Sequence, residues 1–365
     1  LDHHCLQGAI NNMTRNLLVM AGGTGGHIFP ALAVADHLRT KGWRIIWLGA
    51  PKSMEAELVP KYGYEMVKVR FSGLRGKGAL RKLLLPINLL LALWQSGTAL
   101  LRYRPDVVLG MGGYITVPGG IMAALMRYPL LIHEQNSIAG LSNKFLARLS
   151  KRVLSGFPHV LPRAEWCGNP VRKSIATLPE PRIRHAARSG ALNVLVLGGS
   201  LGARAINECV PQALALLSQD ERPNVLHQTG RQHLEAVHAA YQGVAVSAEV
   251  HPFLEDMAQF YAWADVVICR AGAITVAELA AAGVASILIP FPLAVDDHQS
   301  ANARFLSEHD AAVLLPQEKL KPQILANLLH GITRESALCM AQNARKLAKP
   351  DAMLCVARAC VELAE

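Results

Sequence analysis

Several short segments of this chain gather residue types that can hold an anionic, hydroxyl-rich ligand. The first, Gly22-Gly23-Thr24-Gly25-Gly26-His27, follows an apolar run and opens a helix-like stretch. Its glycines would let backbone approach a ligand closely, and the helix start would aim N–H groups at it, which suits a phosphate or diphosphate. The plainer alternative is a strand-to-helix turn capped by Thr24. No Gly-Lys-Ser/Thr follows, so this is not a Walker A loop. The dinucleotide fingerprint fits poorly too, since position 28 is Ile and the next strand ends at Leu48-Gly49 without an acid for a ribose. Nicotinamide chemistry is thereby disfavoured. His27 stands at the mouth of the turn as a candidate general base, although a lone histidine there is often a capping or packing residue.

Two more segments end apolar runs in the same half: Gly110-Met111-Gly112-Gly113-Tyr114 and His133-Glu134-Gln135-Asn136. Two glycine turns could together cradle a diphosphate, and Glu134 is the rival candidate for the base. Position 137 is Ser, so the second segment is no H-E-x-x-H zinc motif. In the other half, Gly272-Ala273-Ile274-Thr275-Val276-Ala277-Glu278 opens a helix. Thr275 and Glu278 have capping-box spacing, which taken alone favours a cap over a nucleotide site. Asp296-Asp297-His298-Gln299 offers groups for a sugar, or a solvated loop. There is no D-x-D pair, so a carboxylate-held metal is not indicated.

Positioning these segments requires strands. Apolar runs at Asn16–Met20, Arg44–Leu48, Asp106–Leu109 and Leu130–His133 alternate with helical stretches, the first from Ile28 to Thr40. The rhythm restarts at Asn193–Leu197 and continues through Val225–Gln228, Val266–Cys269 and Ser286–Pro290. Such spacing indicates parallel strands covered on both faces. A Pro- and Arg-rich linker, about Pro179 to Gly190, precedes the restart. The expected fold is α/β, two doubly wound Rossmann-like domains facing a cleft. Residues 1–15 read as an extension with Met13 a natural start, 16–172 as the first domain and 173–349 as the second.

Charge divides unevenly between them. Residues 1–172 carry 21 basic and 8 acidic side chains, whereas 173–365 carry 16 and 19, so the front half holds the whole excess of +10. That field suits an anionic partner. Aromatic content of 5% argues against nucleic acid read by base stacking. Seven scattered cysteines without a C-x-x-C pair fit a reducing compartment. The start of the chain lacks a signal peptide's apolar core, and the greasiest run, Leu83 to Trp94, is too short to span a membrane.

That run lies in a segment where Pro86 would start a helix. Ile87, Leu90, Leu91, Trp94 and Leu101 form one stripe, expected to be core; Leu89, Leu93 and Leu100 form another almost opposite. Leu83, Leu84, Leu85, Leu89 and Leu93, flanked by Arg75, Lys77, Arg81 and Lys82, are expected to meet an anionic membrane surface.

In order, GGTGGHIFPALAVA at 22–35, SGLRGKG at 72–78, PDVVLGMGGY at 105–114 and HEQN at 133–136 are followed by GNPVR at 168–172, GGS at 198–200, CRAGAITVAE at 269–278 and DDHQSANA at 296–303. From about Asn16 to Asp351 this pattern resembles the MurG family, inverting glycosyltransferases of peptidoglycan synthesis with the two-domain GT-B fold. The resemblance implies transfer of GlcNAc from UDP-GlcNAc to the 4-hydroxyl of MurNAc in lipid I, the undecaprenyl-diphosphate-linked muramyl pentapeptide, giving lipid II. It implies no cofactor or metal, and a peripheral place on the cytoplasmic face of the bacterial inner membrane with other cell-wall synthesis proteins as further partners.

The resemblance also distributes roles. Ser200 and the helix start at Ala273, Ile274 and Thr275, with Val276 and Ala277, would contact the donor; Glu278 would take the ribose, backbone near Leu254 the uracil, and Gln299 with Asn136 the sugar. Arg172 would line the same site. Thr24, Gly25 and Gly26 would face the acceptor diphosphate and count among the UDP-GlcNAc contacts, while His27, Gly112, Gly113 and Tyr114 would bind the acceptor. A final helix, 350–365, would pack back on the first domain. The family commonly has Gln at Leu201 and Ile at Leu254. The alternative of the same architecture is a UDP-GlcNAc 2-epimerase; a non-enzymatic lipid-binding module would leave the second cleft unused.

Overall fold

The computed structural model describes residues 14–71, 85–199 and 202–365. The apolar runs form parallel strands because both sheet faces are covered, so neither needs a polar row. Two units separate by contact: the chain up to His133 with Gly140–Leu154 and Leu354–Glu365, and Glu134–Ala139 with Ser155–Met353.

In the first unit the order is β1 (Asn16–Met20), α1 (Gly25–Thr40), β2 (Arg44–Gly49), α2 (Met54–Leu58), β3 (Glu65–Lys68), α3 (Leu85–Tyr103), β4 (Val107–Gly110), α4 (Thr116–Leu125), β5 (Leu130–Glu134), α5 (Leu141–Leu146) and β6 (Arg152–Ser155); β7 (Glu165–Trp166), which follows, falls by contact in the second unit. The sheet runs β3-β2-β1-β4-β5-β6-β7. β1 pairs in parallel with β2 and β4, so chain direction across the sheet reverses its progress beside β1. Turns after β1 and β4 therefore flank the switch point, where doubly wound sheets take ligands.

The second unit contains α6 (Lys173–Ala176), α7 (Pro181–Ala186), β8 (Asn193–Leu197), α8 (Arg204–Ala215), β9 (Asn224–Gln228), α9 (Leu234–Gly243), β10 (Glu249–His251), α10 (Met257–Trp263), β11 (Val266–Cys269) and α11 (Ala273–Ala282). After it come β12 (Ala285–Leu288), α12 (His298–Ser307), β13 (Ala312–Leu314), α13 (Pro322–Gly331) and α14 (Arg334–Lys346); α15 (Ala352–Leu363) belongs from Leu354 onward to the first unit. Its sheet, β10-β9-β8-β11-β12-β13, is parallel throughout and repeats the first sheet's winding. Alternate residues feed two cores: Leu195, Val267 and Leu288 on one face, Val194, Ile268 and Ile287 on the other.

Three sequence expectations change. The short strands β3, β6, β10 and β13 were not legible as apolar runs. The boundary read at 172/173 lies at 154/155, because Phe157 and Val171 pack into the second core, and the chain rejoins the first unit at Leu354. The stripes of α3 are inverted. Its buried face is Ala92, Ser96, Gly97, Ala99 and Leu100, with Leu89 and Leu93 half-buried, whereas Ile87, Leu90, Trp94 and Leu101 are 65%, 67%, 66% and 63% exposed. Small residues decide this, since they let α3 approach α4 closely: a Cβ on Gly97 would lie 2.9 Å from Met122 Cε. Of the residues expected to meet a membrane, Arg75, Lys77, Arg81, Lys82, Leu83 and Leu84 lie outside the described residues, and Leu85 begins α3.

Candidate functional site

At the switch point of the first sheet the two glycine turns seat on each other. Gly22 N–H donates to the Gly112 carbonyl at 3.3 Å, and a Cβ on Gly113 would lie 2.3 Å from the Gly22 oxygen. Gly23, Gly112 and Gly113 all have positive φ, so side chains are excluded there by backbone as well as by space. Thr24 is the N-cap of α1 with extended dihedrals, but its side chain makes no cap bond, which removes the plain capping role. His27, in the first turn, lays its ring over Gly112: a Cβ there would sit 2.8 Å from Nδ1. Tyr114 is half-buried nearby in sequence, tilted against Phe71 at 6.2 Å. The structure thus gathers Thr24, Gly25, Gly26, His27, Gly112 and Gly113.

Glu134 closes the turn after β5. It is buried, and its Oε1 accepts the backbone N–H of Asn136 at 2.9 Å and the Asn136 amide at 3.3 Å. These bonds tie the carboxylate to the turn and orient Asn136. Asn136 groups with the second unit, where its Oδ1 accepts from Asn302 Nδ2 at 3.4 Å. Asn302 is fully buried and saturated: its Oδ1 takes Ser137 N–H and Oγ–H, and its Nδ2 also donates to the Ala271 carbonyl.

In the second unit, Gly272 rather than Thr275 is the N-cap of α11, with no side-chain cap bond. The capping box expected from Thr275 and Glu278 is therefore absent. The first-turn N–H groups of Ala273, Ile274 and Thr275 have no partner within the helix. Val276 N–H is already bonded to the Gly272 carbonyl and its side chain is wholly buried, whereas Ala277 is half-buried. Glu278 faces Arg172, whose Nη2 donates at 3.1 Å and Nε at 3.3 Å, while Tyr261 OH donates to its other oxygen at 3.2 Å. Burial raises the Glu278 pKa, and Arg172 opposes that rise. Leu254 is buried in the core, leaving only its backbone for a ligand. Ser200 and Leu201 lie outside the described residues.

Beside this lies a concavity of about 540 Å³ at the carboxyl ends of the strands, lined by Gly202, Arg204, His233, Arg270, Phe291, Gln299 and Gln317 among others. Gln299 Oε1 accepts Phe291 N–H at 2.9 Å, which leaves its amide hydrogens to donate. Arg270 holds the Ile289 and Pro290 carbonyls at 3.1 Å and Gln317 Oε1 at 2.6 Å.

Residues 17–155 match the glycosyltransferase family 28 N-terminal domain, and residues 193–362 match the C-terminal domain of that family. Two curated relatives named UDP-N-acetylglucosamine--N-acetylmuramyl-(pentapeptide) pyrophosphoryl-undecaprenol N-acetylglucosamine transferase are similar along their whole length. The one from Dechloromonas aromatica is 58% identical over 97% of this chain and 100% of its own; that from Azoarcus sp. is 60% identical over 96% and 99%. The crystal structure of Acinetobacter baumannii MurG superposes with a TM-score of 0.86 at 40% identity, over 95% of this chain and 99% of that one. The chain is a MurG member of glycosyltransferase family 28. For this MurG chain, sequence reasoning missed Asn302 and Arg270, although both stand inside motifs it quoted. Asn302 has a legible signal, a lone amide on the face of α12 that also buries Ala303 and Leu306. Arg270 has none, since its role depends on carbonyls at the ends of other strands.

Proposed function

We propose that this protein transfers GlcNAc from UDP-GlcNAc to the 4-hydroxyl of MurNAc in lipid I, forming lipid II. The observation that carries the reading is a 58–60% identity, along essentially complete lengths, to relatives bearing that transferase name. The epimerase alternative is not favoured by the same relatives.

The second unit takes the donor. N–H groups at the start of α11 face the diphosphate, Glu278 accepts from ribose hydroxyls, and the amides of Gln299 and Asn136 donate to the sugar. In the first unit, the interlocked turns at Thr24–Gly26 and Gly112–Tyr114 face the acceptor diphosphate. His27 takes the proton of the 4-hydroxyl as that oxygen attacks C1 from the face opposite UDP. The C1–O bond breaks with its electron pair leaving on the phosphate oxygen, and the helix-start donors stabilise that charge.

No helix among the described residues is long and apolar enough to cross a membrane. The exposed face of α3, together with the basic excess of the front half, supports peripheral binding to the anionic bilayer that carries lipid I. Mass analysis of protein mixed with UDP-GlcNAc and a short-chain lipid I analogue tests the function. A product heavier by one N-acetylhexosamine, with UDP released only when acceptor is present, is the expected result. Epimer formation without acceptor overturns it.

A further inference from the structure

Beneath the first glycine turn lies a carboxylate that none of the chemistry above uses. Glu55, on α2, is 0% exposed. Its Oε2 accepts Gly23 N–H at 3.1 Å and its Oε1 accepts Ala50 N–H at 3.1 Å. The backbone is cut to fit it: a Cβ on Gly22 would lie 2.5 Å from Oε1, and one on Gly49 would lie 2.7 Å from Cγ. Among the described residues no Lys or Arg forms an ion pair with it, and the two peptide N–H groups compensate its burial as hydrogen-bond donors.

A buried negative charge under a turn that receives an anion is electrostatically adverse, so its presence calls for another role. Gly23 has φ of +89° and nothing within 4 Å of where its Cβ would stand, so no packing at that position holds the peptide. The Glu55 carboxylate draws the Gly23 N–H inward, adding to the bond from Gly22 N–H to the Gly112 carbonyl. The Thr24–Gly26 stretch continues directly from the peptide fixed in this way. We infer that Glu55 is a positioning residue for the acceptor, holding the Gly22–Gly26 turn in the conformation that selects a diphosphate ester. This inference rests on the acceptor reading given above for that turn.

Glu55→Gln separates the possibilities by sign. Loss of the charge alone would strengthen anion binding and lower the KM for acceptor. Loss of positioning raises it, because the Gln amide nitrogen cannot accept an N–H. The assay uses the full chain with UDP-GlcNAc and two short-prenyl muramyl-pentapeptide acceptors, one a diphosphate and one a monophosphate. For E55Q the expected result is an acceptor KM raised about tenfold or more, a donor KM within about twofold of wild type, and a flattened preference for diphosphate over monophosphate. An unchanged or lowered acceptor KM overturns the proposal, as does a preserved diphosphate preference with both KM values moved alike. Should E55Q show no UDP-stabilised melting transition, Gly23→Ala is the second variant, since it keeps Glu55 but penalises the positive φ. It must give the same acceptor-selective loss, and a native acceptor KM in G23A overturns the inference. Wild-type protein that transfers no GlcNAc to either acceptor would instead refute the transferase reading.

Discussion

His227, in the core of the second unit, is bonded through Nδ1 to Tyr241 OH at 2.9 Å and through Nε2 to Asn207 Oδ1 at 3.1 Å. Burial pushes its pKa down from 6.5 to about 3. The folded imidazole is therefore neutral where the unfolded one is protonated. Its stabilising contribution is complete above about pH 6.5 and falls as pH drops toward 3, by roughly 1.4 kcal/mol per unit. Urea melts between pH 7 and pH 4 should show that slope in wild type and a slope flatter by one proton in His227→Gln. At Glu278 the expected change is catalytic: Glu278→Gln raises the KM for UDP-GlcNAc about tenfold with little change in acceptor KM or melting temperature, as steady-state kinetics and thermal melts would report. Residues such as Glu278 and Thr24 were legible as motif members, but their local roles were not. At α11 a glycine adopts the extended N-cap dihedrals, which leaves Thr275 inside the helix, and at α1 Thr24 adopts them but its hydroxyl makes no cap bond.

Among the elements, α3 shows how a correct helix can be read with the wrong face inward. Counting only large side chains placed Ile87, Leu90, Leu91, Trp94 and Leu101 in the core. The buried side is instead the one with Ala92, Ser96 and Gly97, where close backbone approach to α4 outweighs the area of a leucine. Each exposed large side chain that enters a bilayer interface contributes roughly 1.5–3 kcal/mol. The double substitution Leu90→Glu with Trp94→Glu is accordingly expected to weaken sedimentation with anionic phospholipid vesicles at least tenfold while leaving the melting temperature near wild type. Leu100→Glu, which places a charge at a fully buried position, is expected to abolish folding. Unchanged vesicle binding in the double variant would remove the membrane role from this face.

For the molecule as a whole, central strands and the repeated winding were readable because apolar runs buried on both faces leave a strong trace. Edge strands such as β3, with both ends exposed, leave little. The final helix has its own test. Val356, Ala359 and Cys360 are fully buried, and Arg152 pairs with Glu362. A chain ending at Lys349 should keep its affinity for UDP-GlcNAc within about threefold by calorimetry. It should lose the first unit's cooperative unfolding and, with it, acceptor turnover.

The path of α15 also bears on inheritance. The C-terminal family segment spans 193–362, yet its last stretch, from Leu354, is built into the first unit. A recombination event that exchanges this segment between two relatives would not deliver a clean second unit. It would carry a foreign helix into the other parent's first unit, with Glu362 set against whatever that parent has at position 152. Viable hybrids should therefore be those in which the last dozen residues travel with the front half, so that the gene's two ends co-evolve more tightly than its middle.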